Sequence, residues 1–395
     1  MAENENDILR FAKQKLLNGK DSLAEADSSG SLACLATRFG LEFNEDEESR
    51  EVTYKQVERH MRICVATTTG FTKMITYSAS EPLLAEAAFQ LLSNSSASPV
   101  NHLANHANLY CIDRGRRGEL VAALIVMQAR DASLPRRFYH RRWVFVTDFI
   151  QALLLPHESK LFLDSPPRRW RKGEQAITFR QRFADCRLWF NHVIKVEDSK
   201  VIRPEFLWKY IMRGAMIACK DNQEGVDLIL PVSVSLDENI SRHSVTAITI
   251  QVKNAVTYGF ECKTKLFDAM DPHRLGILSD HPQPVIRMVF ALASSEAGII
   301  IPAPRERETR HPDNFTSYDI WCAGLDCFKQ VGPDLDSYQK LLDCSQRSHD
   351  AFEVSEPYNP LCKETKVKVG KTRRSMVPLV KSSGHDEIHH PPDLE

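Results

Sequence analysis

The sequence has no apolar run approaching the ~18 residues that a membrane-spanning helix needs, so no membrane partner is expected. None of its ten cysteines stands in a CxxC pair, and several lie in apolar runs such as "AMIAC". That usage fits reduced thiols and excludes a disulfide frame. No GxxxxGK[ST] occurs: "NGKDS" at 18–22 lacks the upstream glycine and the preceding strand, so nucleotide hydrolysis is not expected. There is no G-x-S-x-G nucleophile elbow. The net charge is only −1, so any hold on nucleic acid must come from local basic clusters. The opening "MAENENDILRF" is acidic where a secretory leader would be basic and then apolar. An intracellular protein, cytoplasmic or nuclear, is therefore expected.

What is present reads as globular. The chain has 395 residues, 43% hydrophobic and 26% charged, enough for a large core and two or three domains. Apolar residues recur at helical spacing in 6–17, 31–43, 55–71 and 80–92, which predicts a helical module over residues 1–110. A helix over 113–132 follows, then a polar, Pro- and Arg-rich stretch at 133–203 that contains the helix "VTDFIQALL". "RPEFLWKYIMRGAM" predicts a helix opening at Pro204. Strands are predicted at 215–219, 226–234, 245–252, 284–293 and 317–322, with a helix at 262–270 between the third and fourth. This gives a mixed α+β or α/β module over 111–350, with 133–203 as an insertion. The Pro- and Lys-rich tail, 355–395, is expected to be disordered.

Two of the strand segments carry charge: "GVDLILPV" holds Asp227 at its mouth, and "VTAITIQVKN" ends in Gln251 and Lys253. Residues two apart on a strand project from one face. A carboxylate and an amide oxygen are ligands for a hard divalent ion, and an ammonium beside them can orient water and stabilise a charged phosphate. Each residue also has a plain explanation, Asp227 as a turn residue after glycine and Lys253 as the point where a strand meets solvent. Their combination on neighbouring strands favours chemistry.

"GVDLILPV…ITIQVK" resembles the D-x(n)-(E/Q)-x-K signature of the PD-(D/E)XK, or restriction-endonuclease-like, nuclease superfamily, in its glutamine variant. The predicted order of helix, three strands, helix and strand is similar to that family's αβββαβ core. The resemblance implies catalytic Asp227, Gln251 and Lys253 and bound Mg²⁺ or Mn²⁺. It also implies a helix carboxylate, for which "RRGELVAALI" offers Glu119 and the nearer helix offers Glu205. Glu119, Asp227 and Gln251 would hold the metal. More broadly, "RGELVAALIVMQARDA" and "RGAMIACKDNQEGVDLILPV" are similar to mushroom-type fungal proteins allied to crinkler-type ATPase–nuclease proteins, here without the ATPase part.

"RRFYHRRW" interleaves aromatics with Arg136, Arg137, Arg141 and Arg142, and "RRWRK" adds Arg168 and Arg169. Such runs suit phosphate contacts and base stacking, so DNA is the expected partner. The same run also reads as a solvated loop with docked aromatics. "HLANH" sets His102 and His106 one helical turn apart, yet without further ligands a helix surface explains them better than zinc. The expected function is Mg²⁺-dependent nuclease-like action on nucleic acid. The alternative is a non-catalytic scaffold whose helical module binds a protein partner.

Overall fold

The computed structural model describes residues 2–43, 47–70, 74–106, 117–134, 143–221, 223–234, 240–277, 283–305, 315–343 and 388–389. The N-terminal part consists of α1 (Ala2–Leu16), α2 (Ser28–Phe39), α3 (Glu47–Arg59), β1 (Ile63–Thr68), β2 (Met74–Tyr77), α4 (Pro82–Ser93) and α5 (Pro99–His106). Helix α2 begins where the Asp27 carboxylate accepts from Gly30 N–H, and it ends where Gly40 takes up a left-handed conformation.

The helix predicted over 55–71 stops at Arg59. Beyond it the β-branched run "ICVATT" pairs as β1 with β2 in an antiparallel hairpin. The change of direction falls at Met61, a non-glycine residue at φ 62°. The next residue, Arg62, is buried and donates to Leu41 O, Thr76 and Ser78. These polar ties and the strand preference of the run outweigh helical spacing. Of the tail, only β12 (Ile388–His389) is described, and it pairs with β1. The remainder of 355–395 lies outside the described residues.

The chain continues through α6 (Arg117–Ser133), β3 (Val144–Phe145), α7 (Val146–Leu153), α8 (Pro156–Leu163), α9 (Phe179–Arg182), β4 (Arg187–Leu188) and β5 (His192–Lys195). The segment expected as an insertion thus supplies three short strands to the main sheet. Pieces of two to four residues are too short to show periodicity. Next come α10 (Pro204–Met212), β6 (Ala215–Ala218), β7 (Leu228–Ser233), β8 (Val245–Lys253), α11 (Thr264–Ala269), β9 (Val285–Ala291), β10 (Gly298–Ile300) and β11 (Ser317–Ala323).

Together with β3, β4 and β5, the strands β6 to β11 form one mixed sheet, nine-stranded among the described residues. β6, β7 and β8 make an antiparallel meander. The crossover through α11 returns the chain to β9, which lies parallel to β8, and β11 lies parallel to β9. Both faces are covered, so β7, β8 and β9 read as near-continuous apolar runs. One face packs Leu228, Ile250, Met288 and Ile320 against Leu124 of α6 and, continuously, against the N-terminal helices through Leu35 and Leu91. The helices of 1–110 therefore share the sheet's core. The opposite face carries two smaller clusters, Leu207 and Ile211 of α10 over Ile229 and Ala247, and Phe267 and Met270 of α11 over Val289 and Trp321.

A fully buried ion pair crosses this second face. Arg287 of β9 stands in register with Asp319 of β11, donating from Nε to Asp319 Oδ1 at 2.8 Å. Its Nη1 reaches Phe267 O at 2.6 Å, and its Nη2 donates to Ser317 Oγ at 3.0 Å. No helix among the described residues is long and apolar enough to cross a membrane. The seven described cysteines are free thiols.

Candidate functional site

The apolar run of β8 gives way to polar residues after Ile250. Alternation then sends Gln251 and Lys253 to one face, in register with Val289 and Ala291 of β9. Val252 between them faces α6. There Gly118 brings the start of α6 so close that an added Cβ would stand 3.1 Å from Asn254 Cβ and 3.4 Å from Val252 Cγ1. Glu119 follows in the first helical turn, where the exposed N–H groups favour a carboxylate.

Asp227 sits just before β7, on the residue opposite Gln251 if the register is continued. Its N–H donates to Ile250 O at 2.9 Å, and its C=O accepts from Cys219 N–H at 2.8 Å. The carboxylate accepts the Val252 N–H at 2.6 Å through Oδ2. It thus takes the place of a main-chain acceptor where the two strands part, which fixes its position. Burial raises its pKa above the ordinary aspartate value, while the Val252 N–H and the Lys253 ammonium act in the opposite direction. Gly225, at φ 84°, sets up this turn. A Cβ there would come within 2.3 Å of Ala269 O at the end of α11.

Cys219 ties the second carboxylate to the same place. Burial pushes its thiol up first, then the charges of Asp227 and Glu119 push it further. Glu205, exposed in the first turn of α10, is not among the charges acting on that thiol. Asp227 feels the charge of Lys253, and the Cys219 thiol feels those of Asp227 and Glu119, which makes Glu119 the candidate helix carboxylate for this end of β7 and β8.

Gln251 is only 7% exposed, and among the described residues no protein donor reaches its buried Oε1. A native buried acceptor without a partner calls for an explanation. A cation or a cation-bound water would supply one, and two carboxylates with an amide oxygen suit Mg²⁺ or Mn²⁺ by ligand hardness. The residues present fit such an ion, though with one negative charge fewer than a third carboxylate would bring. Among the described residues no three His, Cys, Asp or Glu side chains are placed to share a metal.

The basic residues expected to meet nucleic acid divide differently. Arg168 and Arg169 are buried: Arg168 Nη1 lies 3.1 Å from Asp319 Oδ2, and Arg169 Nη2 lies 2.6 Å from Asp268 Oδ1. Their guanidinium groups also lie over Phe267 and Phe315. Arg168 joins the buried Arg287–Asp319 pair, and Arg169, itself buried, pairs with the half-exposed Asp268. Neither offers the exposed guanidinium that the sequence reading expected, a correction to it. Arg136, Arg137, Arg141 and Arg142 lie outside the described residues. His102 accepts or donates a hydrogen bond with Ser95 Oγ at 2.9 Å, which accounts for its place on α5.

Sequence reasoning passed over Tyr258, whose ring centroid is 5.8 Å from Lys253 Nζ and 4.5 Å from Lys263 Nζ. The signal available was the aromatic "TYGF" directly after "QVKNAV".

A family model described as Domain of unknown function (DUF8736) matches residues 22–266, a span holding Glu119, Asp227, Gln251 and Lys253. No curated protein and no solved structure matches the chain.

Proposed function

The chain belongs to the DUF8736 domain family, and on that premise we propose that it is a nuclease-like protein of the restriction-endonuclease type, acting on nucleic acid phosphodiesters with Mg²⁺ or Mn²⁺. The observation that carries this reading is the Asp227 carboxylate clamped to Val252 N–H beside Lys253, opposite the unpartnered amide oxygen of Gln251. The order β6, β7, β8, α11, β9, with α6 packed on the end of β8, supports an αβββαβ core in which the segment between α6 and β6 is elaborated.

Glu119, Asp227 and Gln251 would hold the ion. A divalent ion in such a site supplies charge neutralisation at the phosphate and a more acidic water. The Lys253 ammonium steadies the attacking water and the charge that builds on phosphorus. Asp227 needs no rearrangement to act, because Val252 already holds it. Glutamine at 251 weakens the hold on the ion by removing one charge, so activity is expected to require more metal than a three-carboxylate site would.

The test is plasmid degradation with Mg²⁺ or Mn²⁺. Wild type should nick or degrade DNA, and Lys253→Ala and Asp227→Ala should each lose about 10²- to 10³-fold, the usual loss for one preorganised electrostatic group. Cleavage unchanged in both variants would exclude this site. A second reading, a scaffold that retains the fold without catalysis, draws support from Arg168 and Arg169 turning inward and from the absence of a three-carboxylate cluster among the described residues. Inactivity of wild type with either metal would favour it.

A further inference from the structure

We infer that the loop following β8 is a stacking platform for an unpaired base, so that the site takes single-stranded DNA; this rests on the nuclease-like reading above. The loop leaves the sheet at Lys253 and turns through a Tyr258 N–H to Ala255 O bond. It is pinned in two places. Trp321 Nε1 donates to Gly259 O at 3.1 Å, and Tyr258 and Cys262 pack on the α11 cluster. Phe260 lies across Gly298 of β10, where a Cβ would meet its ring at 3.1 Å. Despite these anchors Phe260 remains 43% exposed and Val256 71% exposed.

A well-held loop that keeps an aromatic ring and an aliphatic side chain in water has not used them for its own packing. Lys253 and Lys263 flank the Tyr258 ring, and Lys263 Nζ also donates to Thr257 O at 2.8 Å, while exposed Glu261 follows Phe260. Exposed aromatic surface interleaved with ammonium groups is the arrangement that holds nucleic acid through bases and phosphates together. A duplex hides its base faces in the stack, so an exposed ring gains contact only from an unstacked base. Gly298, under the Phe260 ring, stands level with Lys253 across β9 and β11, three strand spacings or about 14 Å away. The base it meets therefore lies some way along the nucleic acid strand from the phosphate at Lys253.

Fluorescence anisotropy with EDTA present, so that nothing is cut, tests this directly. The probes are a short labelled oligothymidine, the same strand with abasic sugars, and a duplex of equal length. Oligothymidine should bind wild type more tightly than either other probe, and Phe260→Ala should weaken it about tenfold, within the range for one lost base–aromatic stack. Phe260→Leu keeps apolar bulk against Gly298 and should lose nearly as much. Full binding by the leucine variant, or equal binding of all three probes, overturns the stacking platform and leaves the phosphodiester site standing. Failure of wild type to bind any probe, also at low salt, overturns the stacking platform, while the nuclease-like reading stands or falls by the plasmid assay with metal.

Discussion

His192, at the first position of β5, shows how a single buried side chain can set a pH limit. Its ring lies 2.9 Å from Ser80 Oγ through Nε2 and 2.9 Å from Asn191 Oδ1 through Nδ1. Burial, aided by the charges of Arg213 and Arg38, lowers its pKa to about 4. In the unfolded chain a histidine titrates near 6.5. As pH falls from about 6.5 toward 4, the unfolded chain takes up a proton that the folded one refuses, so stability is lost across that window, at about 1.4 kcal/mol per unit. Urea unfolding at pH 7 and pH 5 should show the loss, and His192→Gln should flatten the difference between the two. Asp227 lies at the same scale with the same cause, burial, but the opposite sign for its acid form. Its raised pKa means that lowering the pH neutralises the carboxylate earlier than it would on the surface.

Among the elements, the turn between β6 and β7 carries the strictest demand. Gly225 combines a left-handed φ of 84° with a carbonyl standing where a Cβ would go. Gly225→Ala should cost at least about 1–3 kcal/mol and, by shifting the turn, should displace Asp227 and reduce cleavage beyond what the stability loss explains. Thermal melting alongside the plasmid assay separates the two effects. The strands and helices around this turn were legible because runs such as "DLILPVS" and "VTAITIQVK" are buried on both faces and long enough to declare themselves. β1 was not, since "RICVATTTGF" places apolar residues at spacings that suit either a helix or a strand. β3, β4 and β5 were too short to register at all. That Gln251 and Lys253 share a face was readable because strand alternation is a property of local sequence, whereas the pairing that sets Asp227 opposite Gln251 is tertiary. Arg168 was misread because an arginine's partner is chosen by tertiary structure: Asp319 lies 151 positions away along the chain.

The whole molecule is held together across the boundary that sequence suggests near residue 110. Leu32 and Leu35 of α2 lie in one continuous core with Val121, Ile125 and Met288. Arg38, itself buried, forms a bidentate pair with Asp131 at the end of α6, with contacts of 2.7 and 2.9 Å, and also donates to Asn191 O. Asn101 of α5 reaches Asp334, far down the chain, at 3.0 Å. Residues 111–350 expressed alone should consequently expose apolar surface and lack fixed packing. Binding of the dye ANS and loss of near-ultraviolet circular dichroism would report it, whereas a cooperative melt with a native-like spectrum would contradict it.

The family match closes at residue 266, one position short of Phe267, whose carbonyl is gripped by the Arg287 guanidinium at 2.6 Å. Arg287 in turn leans on Asp319, and Asp319 on Arg168. The brace of α11 is therefore built largely from chain beyond the matched span, on β9 and β11. Cutting the chain where that span ends would remove the keystone and leave the crossover helix without its grip.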